Sequence, residues 1–193
     1  MRKDVAVVIL AGGEGRRIGG GKPLKKFCGE RLVDRALSQA RSWSDLVAVA
    51  VRNAAQVAPV DAPLITDEDV PGPLGGLLSG LRFAREHDRA FLLGIPADMP
   101  FLPHDLLDSL AATIGDHACA LAASGGQLHP VCGLWRTTAL SEAGSYVAEG
   151  RRSLKGFAAQ VGFASVDWPV AAADPFFNVN TNEDLAAAAR AAR

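Results

Sequence analysis

The chain has 193 residues, 49% of them hydrophobic and 21% charged. These values exclude a disordered or fibrous polypeptide and let roughly 70% of the unfolded surface be buried around one core. Its 20 Lys and Arg stand against 21 Asp and Glu, a formal charge of −1, so the balance gives no reason to expect a nucleic acid or a membrane surface as partner. The cysteines, Cys28, Cys119 and Cys132, are odd in number and lack C-x-x-C spacing, which argues against a disulfide framework and a redox pair and fits a reducing compartment.

Residues 5–10, VAVVIL, form a β-branched apolar run closed by glycines, the pattern of a strand buried on both faces of a parallel sheet. The run is too short for the core of a signal peptide, and no other run reaches membrane-spanning length, so a soluble cytoplasmic protein is expected. Leu32, Val33, Ala36, Leu37 and Ala40 then repeat at helical spacing, followed by a second apolar run at 46–51. A short strand at 64–66, a helix over 74–86, a strand over 90–95 and a helix over 104–114 continue the alternation.

Beyond Gly115 the pattern loosens into apolar segments at 118–123 and 131–135, helices near 138–147 and 153–161, a segment at 163–167 and an alanine-rich helix from about Asn182. Alternating strands and helices predict an α/β fold of three layers, αβα, around a mostly parallel, Rossmann-like sheet with right-handed crossovers. With no internal repeat and no long linker, one domain is expected.

In such sheets ligands collect beyond the carboxyl ends of the strands. The loops there are 11–22, 67–73 and 96–103. The first, within LAGGEGRRIGGGKPL, carries glycines at 12, 13, 15, 19, 20 and 21 beside Arg16, Arg17 and Lys22. Glycine lets successive amides converge on anionic oxygens, and the basic side chains add fixed charge, so the loop suits a polyphosphate. It is neither the dinucleotide fingerprint, because Ile18 stands where the third glycine belongs, nor a P-loop, because Pro23 follows Gly21-Lys22.

L-A-G-G-x-x-x-R-I-G-G…K resembles the nucleotide-binding signature of the molybdenum cofactor guanylyltransferases. GPLGGLLSGL at 72–81, PADMPFLP at 96–103, HPVCGLW at 129–135, EGRRSLKGF at 149–157 and FFNVNTNEDL at 176–185 extend the likeness along the whole chain. It implies a magnesium-dependent transfer of GMP from GTP to the terminal phosphate of molybdopterin, with pyrophosphate released. It also implies a GTP-binding half at about 1–103, an acceptor-binding half at about 104–193, and handover of product to apo-molybdoenzymes and their chaperones.

On that likeness Leu10, Ala11, Gly12 and Gly13 contact guanine and nucleoside, Arg17 neutralises phosphate charge, and Lys22 holds the triphosphate as a compact point charge. Arg16 reads equally as a phosphate contact or a solvent-facing side chain. Asp98 follows the strand ending at Ile95 between Pro96 and Pro100, which stiffen its loop, and is the expected magnesium ligand, since magnesium accepts one or two carboxylates and fills its remaining positions with phosphate and water. On the same likeness Asp67 is the expected nucleotide contact in TDEDVPGPLGG, with Glu68 and Asp69 as solvated loop charges, one of which takes its place if the register shifts. Asn53 matches the family's nucleoside-contacting asparagine, although VRNAA departs from the usual pattern.

For the acceptor, His129, Arg151 and Lys155 stand in segments that could meet a pterin phosphate, with Arg151 and Arg152 equally readable as surface charges. Asn178 and Asn180 precede a helix capped by Thr181 or Asn182; they either tie that turn or, as the likeness implies, reach the metal and substrate phosphate. His117, Cys119, His129 and Cys132 lack a recognised zinc spacing, and the three tryptophans read as core or pocket wall. Three rivals remain: a cytidylyltransferase for the same acceptor, disfavoured by LAGG in place of LAAG; a sugar-phosphate nucleotidyltransferase; and a non-catalytic nucleotide-binding protein.

Overall fold

The computed structural model describes residues 1–13, 18–66, 70–171 and 173–192. Arg16, Arg17, Asp67, Glu68 and Asp69, all named above, lie outside those residues. The main sheet has seven strands in the order β5-β4-β1-β6-β8-β7-β9: β1 Val5–Leu10, β4 Val47–Ala50, β5 Leu64–Ile65, β6 Phe91–Pro96, β7 Cys119–Ser124, β8 Gln127–Arg136 and β9 Phe163–Trp168. β8 runs antiparallel to β6 and β7, and the other strands are mutually parallel.

Each face of the sheet is closed by helices, as the apolar periodicity requires. Val5, Val7 and Ile9 of β1 point into a core with α1 (Leu32–Trp43) and α3 (Leu106–Thr113), while Ala6 and Val8 point into a second core with α2 (Pro73–Glu86), α4 (Ala143–Ala148) and α5 (Leu154–Val161). α2 lies against the sheet because its glycines permit it: a Cβ on Gly80 would meet Val8 Cγ1 at 2.8 Å and Leu92 Cδ2 at 2.9 Å. Trp135 is fully buried, and Trp43 and Trp168 are nearly so.

Two features depart from a simple β-α repeat, and both are two-residue hairpins. Cys28 and Gly29, with φ of 49° and 89°, join β2 (Lys26–Phe27) to β3 (Glu30–Arg31); Gly125 and Gly126, with φ of 54° and 77°, join β7 to β8. Positive φ at both central residues matches the twist of an antiparallel pair. Because β8 is reversed, it begins at the carboxyl edge of its neighbours and brings His129 there. Leu121 pairs with Gly133 but Ala122 pairs with His129, so Pro130, Val131 and Cys132 form a bulge, with Pro130 placed where no ladder N–H is needed.

The segment expected as a helix at 138–147 is a 3₁₀ turn, Thr137–Glu142, running into α4. The last helix, α6 (Asn182–Ala191), begins at Thr181, whose hydroxyl accepts from the Asp184 N–H while the Asp184 carboxylate accepts from the Thr181 N–H. A small third core of Ile18, Phe27, Leu32, Val179 and Ala188 joins α6 and the β2–β3 hairpin to the returning end of the first loop.

Candidate active site

Leu10, Gly12, Gly13, Ala50, Val51, Arg52, Val70, Gly72, Pro73, Gly76, Pro96, Asp98, Val131 and Asn178 enclose a cavity of about 220 Å³ at the carboxyl edge of the sheet. Its walls come from three parallel strands, the loops that follow them, the start of α2 and two segments of the C-terminal half. The β1–β4–α2 end is apolar. Gly76 keeps it open to the sheet, since a Cβ there would come within 2.7 Å of Leu10 Cδ2.

At the opposite end the polar side chains converge. Gly21, at φ 59°, caps a single 3₁₀ turn, Lys22–Leu24, whose Pro23 is buried, and this turn directs Lys22 toward the 178–180 segment. The Lys22 ammonium donates to Asn178 Oδ1 at 3.1 Å and Asn180 Oδ1 at 2.9 Å, and forms an ion pair with Asp98 Oδ2. The side chains of Lys22 and Asp98 are only 12% and 18% exposed, so their charges are screened less than those of a surface pair. Asp98 Oδ1 is buried and has no hydrogen-bond partner among the described residues.

The Asp98 loop is held from two sides. The Asp98 carbonyl accepts from the Val179 N–H at 3.0 Å, and the Ala97 N–H donates to the Leu10 carbonyl at 3.2 Å. From below, one face of α1 supplies Arg35, Gln39 and Trp43 at i, i+4 and i+8, donating in turn to the carbonyls of Pro100, Leu102 and His104 at 2.8, 2.7 and 2.9 Å. A helix repeat thus grips alternate carbonyls of an extended loop, and Phe27 packs edge-on against Phe101 beside it.

Asn53 is placed differently from its expected role. Its Oδ1 accepts from the Ala55 N–H at 2.9 Å and its own N–H donates to Gln56 Oε1, a reciprocal cap on the turn Ala54–Gln56. Its neighbour Arg52 borders the cavity instead. The signal was present in the sequence: N-x-x-Q is a capping pattern, which marks Asn53 as occupied.

His129 stacks on Phe176, with ring centroids 4.7 Å apart and planes 17° apart. Its Nε2 lies 2.7 Å from Ser124 Oγ, which in turn donates to Asp174 Oδ1 at 2.9 Å. With the single hydroxyl hydrogen directed to Asp174, Ser124 accepts from Nε2–H, leaving Nδ1 as the acceptor of a neutral ring. Burial lowers the His129 pKa, partly opposed by Asp174.

Arg151 lies elsewhere, over the Tyr146 ring at 4.2 Å and donating to Gln160 and Glu149; Lys155 is exposed on α5. Neither lines the cavity. Cys119 and Cys132 belong to the two opposite cores and cannot ligate one ion. Burial pushes the Cys119 thiol up to about 12 and raises that of Cys132 well above its ordinary value, with the Asp98 charge adding to the latter. Among the described residues no three His, Cys, Asp or Glu side chains gather as a metal cage, and no helix is long and apolar enough to cross a membrane.

Residues 7–161 match the family of MobA-like NTP transferase domains. The chain is 41% identical over 195 residues to a molybdenum cofactor guanylyltransferase of Bradyrhizobium sp. (strain ORS 278), covering 96% of this chain and 92% of that one. It is 38% identical over 190 residues to one of Cereibacter sphaeroides, covering 94% and 93%. Among solved structures, molybdopterin-guanine dinucleotide biosynthesis protein A from Archaeoglobus fulgidus has the same fold, with a TM-score of 0.75 at 21% identity, covering 96% of this chain and 97% of that one.

Proposed function

The chain belongs to the molybdenum cofactor guanylyltransferase family, and from that premise we propose that it transfers GMP from GTP to the terminal phosphate of molybdopterin. An acceptor phosphate oxygen attacks the α-phosphorus, the bond from that phosphorus to the bridging oxygen of the β-phosphate breaks, and pyrophosphate leaves with the electron pair. The observation that carries the proposal is the cluster of Lys22, Asp98, Asn178 and Asn180, of which Asp98 and Asn178 line the polar part of a cavity whose other part is apolar. A base fits one end and a polyphosphate the other.

The attacking oxygen is already anionic, so no strong base is required; alignment and charge neutralisation provide the rate. Lys22, anchored by three oxygen partners, would place positive charge beside the phosphates. Arg17 would add a second charge from the same loop. The orphaned Asp98 Oδ1 fits a hard divalent cation, with magnesium as the family's ion. Magnesium held there would neutralise phosphate charge. Asp67 would contact the nucleotide from the neighbouring loop, while His129, beside Phe176 at the same sheet edge, belongs to the acceptor side. A cytoplasmic location and delivery of the product to apo-molybdoenzymes complete the reading.

Pyrophosphate release with molybdopterin, magnesium and either GTP or CTP tests it. GTP-selective release that falls by about 10²–10³-fold in Asp98→Ala is expected. Selectivity for CTP would make the chain a cytidylyltransferase of the same acceptor, and no release with either nucleotide would favour a sugar-phosphate acceptor or a non-catalytic nucleotide-binding protein.

A further inference from the structure

Among the described residues, Arg52 is the charged side chain that lines the cavity beside its apolar part. β4 ends at Ala50, and the Val51 N–H is held by the Ile65 carbonyl at 3.0 Å, so the chain leaves the sheet edge at Arg52. The Arg52 N–H donates to Gln56 Oε1 at 2.9 Å, as the Asn53 N–H does at 3.2 Å. The capped turn therefore fixes the backbone on which Arg52 stands. Asn53 Oδ1 is occupied within that turn.

The Arg52 arm runs along the first loop, since a Cβ on Gly12 would lie 3.6 Å from Arg52 Cγ. Leu10, Ala50, Pro73 and Gly76 line the apolar part of the same cavity, while Asp98 and Asn178, both bonded to Lys22, line its polar part. A nucleotide laid with its phosphates beside Lys22 would have its base among these apolar residues, next to Arg52.

We propose that Arg52 reads the O6/N7 edge of guanine and so sets the choice of nucleotide, a specificity role that rests on the guanylyltransferase reading above. The chemistry is selective. A guanidinium presents parallel donors, and guanine offers two acceptors, O6 and N7, on one edge. Adenine places an amino donor beside N7, cytosine presents an amino group there, and uracil offers a single acceptor, so none pairs twice with the same fork. A lysine would keep the charge and lose the fork.

Equilibrium binding of GTP, ITP, 7-deaza-GTP and ATP to the full chain with magnesium tests this in wild type, Arg52→Met and Arg52→Lys. Wild type is expected to bind ITP, which keeps O6 and N7, nearly as well as GTP, and 7-deaza-GTP and ATP at least roughly tenfold more weakly. Both variants should bring the GTP to 7-deaza-GTP ratio close to one. Either variant keeping the wild-type ratio, or all four nucleotides weakening by the same factor as for a phosphate contact, overturns the assignment while leaving the guanylyl reading intact. Wild type without any preference for GTP would overturn both.

Discussion

His129 gives the protein a pH dependence that can be located. Its ring is neutral in the fold because burial lowers its pKa below the ordinary 6.5. Between the folded value and 6.5 the unfolded chain binds the extra proton, so this contribution to stability is present above about pH 6.5 and is lost as pH falls toward the folded value. Urea midpoints at pH 7.5 and 5.5 should therefore drop further in wild type than in His129→Gln; equal drops would remove His129 from the account. Asp4 and Asp184 do not interfere. Their carboxyls are held low, by the Arg2 side chain and chiefly by the Asn180 N–H respectively, and so act below about pH 4.

Much of the site at this scale was legible, for a physical reason. Lys22 and Asp98 each sit in a loop directly after a buried strand, stiffened by proline or opened by glycine, and topology alone carries both to the same edge. Asn178 and Asn180 admitted two readings; Asn180 belongs to the α6 cap through its backbone N–H, and the side chains of both meet Lys22. Arg151 was expected at a ligand on the strength of its charge, and Asn53 on its likeness to the family's nucleoside-contacting asparagine. What engages them instead, an aromatic ring and a local cap, depends on neighbours that composition does not specify.

At the scale of elements, α2 illustrates how closely helix and sheet approach. Alanine at Gly80 gains roughly 1 kcal/mol of helix propensity, but its Cβ would press into two fully buried strand side chains, Val8 and Leu92, and overpacking of this kind costs about 1–3 kcal/mol. The expected balance is a net loss on the order of 1 kcal/mol in urea denaturation. Gly144, in α4, has open space at the same position, so Gly144→Ala should stabilise by about 0.5–1 kcal/mol. Equal effects at the two sites would mean that the close approach of α2 is not what the Gly80 position requires.

The principal strands and helices follow from period alone: buried runs of β-branched residues and 3.6-residue apolar repeats have few alternatives once they alternate. The direction of β8 does not follow from period, because an apolar run reads the same either way. It is set by the Gly125-Gly126 turn, a short signal whose weight depends on the strands on either side. The β2–β3 hairpin was not read because its strands are two residues long, and only the Cys28-Gly29 turn distinguishes them from loop.

Across the whole molecule, the cavity joins parts of the chain far apart in sequence. A division into a GTP-binding half at about 1–103 and an acceptor-binding half at about 104–193 describes the order of the motifs, yet Val131 and Asn178 line the same cavity as Leu10 and Arg52, and Lys22 bonds across 156 and 158 residues to Asn178 and Asn180. A nucleotide bound there closes contacts between β1, α2, the Asp98 loop and the segment leading into α6. It should stabilise these elements together. At a free GTP concentration a hundredfold above its dissociation constant, linkage gives about 2.7 kcal/mol, which for a chain of this size raises Tm by roughly 5–11 °C. Calorimetry with GTP and magnesium is expected to show one transition displaced as a whole, and Lys22→Ala should shrink the displacement because it removes the proposed phosphate contact together with the tie to 178–180. Two transitions, only the lower of them moved by GTP, would mean that the halves fold separately and that the Lys22 bridge does not couple them.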